Sequence, residues 1–308
     1  MISFRYHIVS IIAVFLALAL GIVVGTTALN GPITKDLRHQ VDSLKKDRNS
    51  LSDQVKTLND QVGDGEQFGS LYGAQIVKAA LHQTNVLIVG LPGASGATKD
   101  KVASMVGSAG GKISGRVQLS GDYTDPKQGG SIIKFATGAV APVGLTYPNT
   151  DQPGPIGGAL LAYVLLGKAQ PAELRAVMAG FSTMQMLKPE GGDDVTPSPN
   201  VIVVTNGTLP PKDARGQTDL ALITELQKAG GHVVVAGDTA AATDGGVVAL
   251  VRGDGNDRST VASVDNADTA LGQVSTILAL ADLTKPEPKV GHYGTAGGAK
   301  ALFPELGK

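Results

Sequence analysis

From Ile8 to Leu29 the chain reads IVSIIAVFLALALGIVVGTTAL, 22 residues without a charge. At 1.5 Å of rise per residue such a helix is ~33 Å long, enough to cross a ~30 Å hydrocarbon core, so residues 8–29 are expected to form a transmembrane helix. A cleaved signal peptide is the rival: Met1 to His7 carries Arg5, and Ala17-Leu18-Ala19 resembles a small-residue cleavage site. Apolar sequence continues for ten residues past Ala19, whereas a signal h-region is only ~7–15 residues long, which favours a retained anchor. Ala13, Ala17, Gly21 and Gly25 recur every four residues, a small-residue ladder that lets two membrane helices approach closely.

The flanking charges leave orientation open. Arg5 and the amino terminus precede the span, while Lys35, Arg38, Lys45 and Lys46 follow it. Large downstream domains translocate largely regardless of such counts. A cytoplasmic tail over residues 1–7 with the remainder outside is the expected topology of an inner-membrane, single-pass protein.

Asn30-Gly31-Pro32 is expected to break the helix, with Pro near the start of the next one. Over the following stalk, residues 33–62, apolar side chains alternate at spacings of four and three. Leu37, Leu44, Leu51 and Leu58 take the d positions of a heptad and Val41, Val55 and Val62 the a positions, with Arg48 in the remaining a position. Leu at d with β-branched residues at a favours a parallel two-stranded coiled coil, and a charged a residue sets register at a cost in stability. A single helix lying on a globular domain normally shows a wider apolar stripe. Here the flanking positions are Arg38, Lys45, Ser52 and Asn59 on one side and Gln40, Asp47, Gln54 and Gln61 on the other. The stripe therefore predicts a helical partner, a second copy of the chain or another protein.

GDGEQFG at residues 63–69 is expected to end the rod, and an amphipathic segment at Leu71 to Leu81 to begin a globular region over residues 70–290. Apolar runs at Asn85–Leu91, Asn200 onward (NVIVVTNG), His232–Ala236, Val247–Val251 and Val261–Val264, with the strand-like Lys112–Leu119, read as strands. Helical stretches at Thr98–Ala109, Pro155–Leu187, Asp219–Ala229 and Asp265–Leu283 alternate with them. That order predicts an α/β fold, a mostly parallel sheet with helices on both faces. A Gly-rich tail of residues 291–308 should close the chain, packed over the sheet.

The composition limits the chemistry. Zero cysteines exclude disulfides, thiolate metal sites and cysteine nucleophiles. A net charge of −1 leaves no electrostatic footprint for nucleic acid. Gly90, Gly93 and Gly96 sit in a strand-to-helix turn, but their GxxGxxG spacing is not the dinucleotide fingerprint, and no GxxxxGK[ST] motif occurs. The five histidines, His7, His39, His82, His232 and His292, have no paired ligand spacing. Met178, Met184 and Met186 offer thioethers suited to Cu(I), yet neighbours two apart point to different sides of a helix, so they read as core. Ser95 lies in GASG rather than GxSxG, and Asp193 and Asp194 read as solvated loop charges. No catalytic, cofactor-binding or metal-ligating constellation emerges, which predicts a non-enzymatic protein without a resident cofactor.

MISFRYHIVSIIAVFLALALGIVVG, the heptads behind it and VGHYGTAGGA near the C-terminus together resemble the actinobacterial MctB family, labelled copper transport proteins. Within it the chain looks most like the SteB branch, corynebacterial members paired with the membrane protein SteA in daughter-cell separation. The resemblance implies an envelope protein whose coiled coil and α/β domain lie outside the cytoplasm. It implies a parallel homodimer acting as scaffold or regulator, with a SteA-like membrane protein and a peptidoglycan hydrolase or its regulators as partners. Copper homeostasis, with copper handled by the protein, is the alternative. A membrane pore needs several helices or a closed barrel, and one span provides neither.

Overall fold

A computed structural model describes residues 4–192 and 195–305, the side chains of residues 27–36 excepted. Asp193 and Asp194 lie outside the described residues. The chain divides at Gly63/Asp64 into two units.

One helix, α1, runs from Phe4 to Ile76. It begins with a 23-residue stretch, Phe4–Thr26, long and apolar enough to cross a membrane. Contrary to the expected breaks, the backbone stays helical through Asn30-Gly31-Pro32 and through residues 63–69, so Leu71–Leu81 is no separate helix. Pro32 forfeits one bond, to the Ala28 carbonyl, which the long helical flanks absorb. Gly69 and Gly73, within the second unit, persist for a different reason, set by what packs on them. A Cβ on Gly69 would lie 2.8 Å from the Ala270 Cβ and 3.1 Å from the Leu271 backbone nitrogen. Gly73 faces Val274 and Met105. These residues are a close-approach surface, and helix–helix contact offsets the ~1 kcal/mol that each glycine costs a helix.

The second unit is a seven-stranded sheet. After α1 come β1 (Asn85–Gly90), α2 (Gly96–Ser108), β2 (Lys112–Leu119), α3 (Gly121–Thr124), α4 (Gly129–Ala136), α5 (Pro153–Leu165), α6 (Pro171–Thr183) and β3 (Leu187–Pro189). Then follow β4 (Asn200–Val204), α7 (Ala214–Lys228), β5 (His232–Ala236), α8 (Val247–Gly253), α9 (Asp257–Thr260), β6 (Ala262–Val264), α10 (Ala270–Leu283) and β7 (His292–Tyr293). The order across the sheet is β3-β2-β1-β4-β5-β6-β7, parallel throughout except for β3. The chain therefore builds outward from β1 in one direction, returns to its other side at β4 and builds outward again.

Residues of the central strands alternate between two apolar layers, which is why β1, β4 and β5 each read as one continuous hydrophobic run. Leu87, Val89, Val201, Val203, Val233 and Val235 face the layer that includes Leu160, Phe181 and Leu222. Val86, Ile88, Ile202, Val204 and Val234 face Val102, Val106, Ile277 and Leu280.

Three further expectations change. Val247–Val251 is the helix α8, not a strand; a five-residue apolar run fits either state, and parallel β5 and β6 need a crossover between them. Residues 155–187 hold two helices, so Met178 lies in α6 while Met184 caps it and Met186 lies beyond. The last helix starts at Ala270, not Asp265, with Thr269 capping it through the Gly272 N–H.

Candidate functional site

In the first unit the predicted interface residues lie along one stripe of α1, all exposed. Leu37, Val41, Leu44, Leu51, Val55, Leu58 and Val62 are each 55–68% exposed. Burying each of these side chains would contribute ~1.5–3 kcal/mol. Arg48, in the same stripe, bonds only to the neighbouring Asn49 Oδ1 among the described residues, at 3.2 Å, and leaves its charge available to a partner. In the apolar segment Ala13, Ala17, Gly21 and Gly25 share one face, and a Cβ on either glycine would meet nothing within 4 Å.

The Gly-rich tail packs as expected and does more than cover the sheet: His292 and Tyr293 form the edge strand β7 beside β6. His292 is buried, with Nε2 2.9 Å from the Arg258 carbonyl and Nδ1 2.9 Å from Ser263 Oγ. A carbonyl only accepts, so Nε2 carries the proton and Nδ1 accepts from the serine hydroxyl. Burial holds the imidazole below its ordinary pKa, and both nitrogens are occupied, so it is no free ligand. Beside it Arg252, also buried, donates to Ser263 Oγ at 2.9 Å, Asp265 Oδ2 at 2.8 Å and the Tyr293 carbonyl at 2.9 Å. Asp265 Oδ1 in turn accepts from the backbone N–H groups of Thr295 and Ala296. Every one of these groups is spent on holding the C-terminal segment against the sheet.

The remaining sequence candidates disperse. Met178 and Met186 are buried in the core and Met184 packs against it. His232 Nδ1 lies 3.0 Å from Asn200 Oδ1 at the start of two strands. Among the described residues no three His, Asp or Glu side chains form a group that could hold a metal. At the glycine turn after β1, the space a Cβ on Gly90 would need is taken by Gln118 and Lys99, and Lys99 is itself buried and paired with Glu190 at 2.6 Å. Ser95 accepts from the Thr98 N–H as the cap of α2.

Sequence reasoning passed over one arrangement. Asp219, on the inward stripe of α7 formed with Gly216, Leu222 and Leu226, is buried and its Oδ1 has no hydrogen-bond partner. Burial pushes its carboxyl up to about 8, against the nearby Arg215 guanidinium, which acts to lower it. The signal was present in the sequence as a lone carboxylate at the position where helical periodicity calls for an apolar residue.

The profile of a protein family described as "Copper transport outer membrane protein, MctB" matches residues 1–304. Proteins named copper transporter MctB from Mycobacterium tuberculosis (strain ATCC 25618 / H37Rv) and Mycobacterium bovis are each 31% identical over 313 residues, covering 98% of this chain and 99% of theirs. The protein of that name from Mycobacterium leprae is 30% identical over 315 residues, at 98% and 99% coverage. From the apolar helix to the tail around His292, the chain belongs to the MctB family.

Proposed function

We propose that the chain is a membrane-anchored, non-enzymatic protein of the cell envelope that serves copper homeostasis by organising partners, rather than by conducting the ion through itself. The carrying observation is the end-to-end match to proteins named copper transporter, set against a single span and a donor set without a metal cluster among the described residues. Copper is then cargo or signal for an assembly, and this chain supplies the anchor, a parallel dimeric stalk through Leu37 to Val62 and the α/β head. In this reading the anchor sits in the inner membrane with the bulk of the chain extracytoplasmic. Titration of the full chain in detergent with Cu(I) against a competing chelator tests this. No stoichiometric tight binding is expected, together with copper accumulation in cells lacking the gene. Tight one-to-one binding would overturn the organising role.

A second reading rests on the resemblance to the SteB branch alone: the same stalk scaffolds daughter-cell separation with a SteA-like membrane protein and a peptidoglycan hydrolase or its regulators. Crosslinking from membranes separates the two. Recovery of division and wall-hydrolysis proteins supports the second, and recovery of metal-handling proteins supports the first.

A further inference from the structure

The sheet order reverses between β1 and β4, and in open α/β sheets the crevice outside the carboxyl ends of strands at such a point is where ligands bind. Here that crevice is a cavity of about 130 Å³. Pro92 after β1, Thr205 and Asn206 after β4, Thr124 of α3, and Arg215 and Asp219 of α7 contribute to its wall. Two buried polar atoms in this region lack partners, Asp219 Oδ1 and the Tyr123 hydroxyl, and Tyr123 lies within electrostatic reach of the Asp219 carboxylate. An unpaired carboxyl inside a protein costs several kcal/mol unless something satisfies it. Arg215, half exposed at the same wall, is anchored by Asp213, whose Oδ1 and Oδ2 accept from its Nε and Nη2 at 3.0 and 2.8 Å.

We propose that this cavity binds a small carboxylate, which shares the proton of the Asp219 carboxyl inside and pairs with the Arg215 guanidinium at the wall. Charge selects an anion over a cation. Among the described residues, Asp219 is the only acid on the wall and Arg215 its only base, and the start of the 15-residue helix α7, with its positive dipole end, lies there. Size selects the class: a cavity of ~150 Å³ holds a six-carbon ring, so two- to four-carbon acids fit. At neutral pH Asp219 is protonated and donates; it is ionised and repels once the pH passes about 8. The charged groups acting on it are Arg215, with Asp213 and Asp125 beyond, and Tyr123 is the other titratable neighbour.

The test is titration of the full chain in detergent with ¹³C-acetate and propionate, read by NMR line broadening, with methylammonium as the opposite-charge probe. Saturable acetate binding is expected at pH 6.5, weaker by more than tenfold at pH 9.5. Arg215→Gln, at a half-exposed position, should weaken binding at both pH values, and Asp219→Asn should bind without the pH step. Absence of saturable binding by both acids would leave the cavity to water and overturn the proposal. So would preference for methylammonium, or acetate binding that strengthens with pH.

Discussion

Glycine-to-alanine changes along α1 separate a helix held by its own propensity from one held by its neighbour. At Gly63 nothing lies within 4 Å of the new methyl, so the variant should gain the full propensity difference of ~1 kcal/mol. At Gly73 the methyl meets the ends of Val274 and Met105 at 3.0 and 3.3 Å, side chains that can give way, and the two effects should nearly cancel. At Gly69 it meets Ala270 Cβ at 2.8 Å and backbone atoms of Ala270 and Leu271 at 3.2 and 3.1 Å. Backbone cannot rotate aside, so α1 must back away from α10, and overpacking of this kind costs ~1–3 kcal/mol. Gly69→Ala should therefore be destabilised by about 1 kcal/mol net, lowering the melting temperature of the head by ~2–4 °C. Hydrogen exchange of the amides from 64 to 76, with calorimetry of the full chain in detergent, reads the effect. If Gly69→Ala slows exchange as much as Gly63→Ala does, the glycines are not a packing surface and the account of α1 fails.

Other outcomes follow from the same geometry. Arg48→Leu should raise the thermal midpoint of a 30–70 peptide in a concentration-dependent way, since it completes the apolar a positions; an unchanged midpoint counts against self-pairing. The pKa of Asp219 is raised on folding, so the proton it holds stabilises the head fully below pH ~4, and that stabilisation is lost as pH rises through about 8, at up to ~1.4 kcal/mol per unit. Urea unfolding of Asp219→Asn from pH 5 to 9 should lack that slope relative to the parent. Asp265→Ala should cost ~3–5 kcal/mol by leaving buried Arg252 unpaired, measurable by denaturation. Glu66→Ala should cost ~1 kcal/mol, because both Glu66 oxygens accept from the Ala270 N–H at 3.0 Å and cap α10.

The centre of the sheet was legible because its strands are buried on both faces. Asn200–Val204 and His232–Ala236 coincide with strands predicted from apolar runs alone. Helix ends were less legible, because the residues that break helices in isolation, Gly65, Gly69 and Gly73, here face a helix just over two hundred residues away in sequence. Val247–Val251 failed for a related reason: β-branched composition points to strand, while its place between β5 and β6 demands a crossover. The heptad stripe was fully visible in sequence, since its spacing is local. Asp219 was not, because a carboxylate is conspicuous only once its helix is known to turn it inward.

Strand β7 and the residues after it also set a timetable. A chain is made from its N-terminus, so His292 to Ala296 emerge only after every other strand of the sheet. Until they arrive, β6 has an unpaired edge, Arg252 lacks the Tyr293 carbonyl, and Asp265 lacks two of its N–H donors. The head can reach its final state only after residues 292–296 have emerged, and a chain stopped short of residue 292 carries an open sheet edge, a ready template for aggregation.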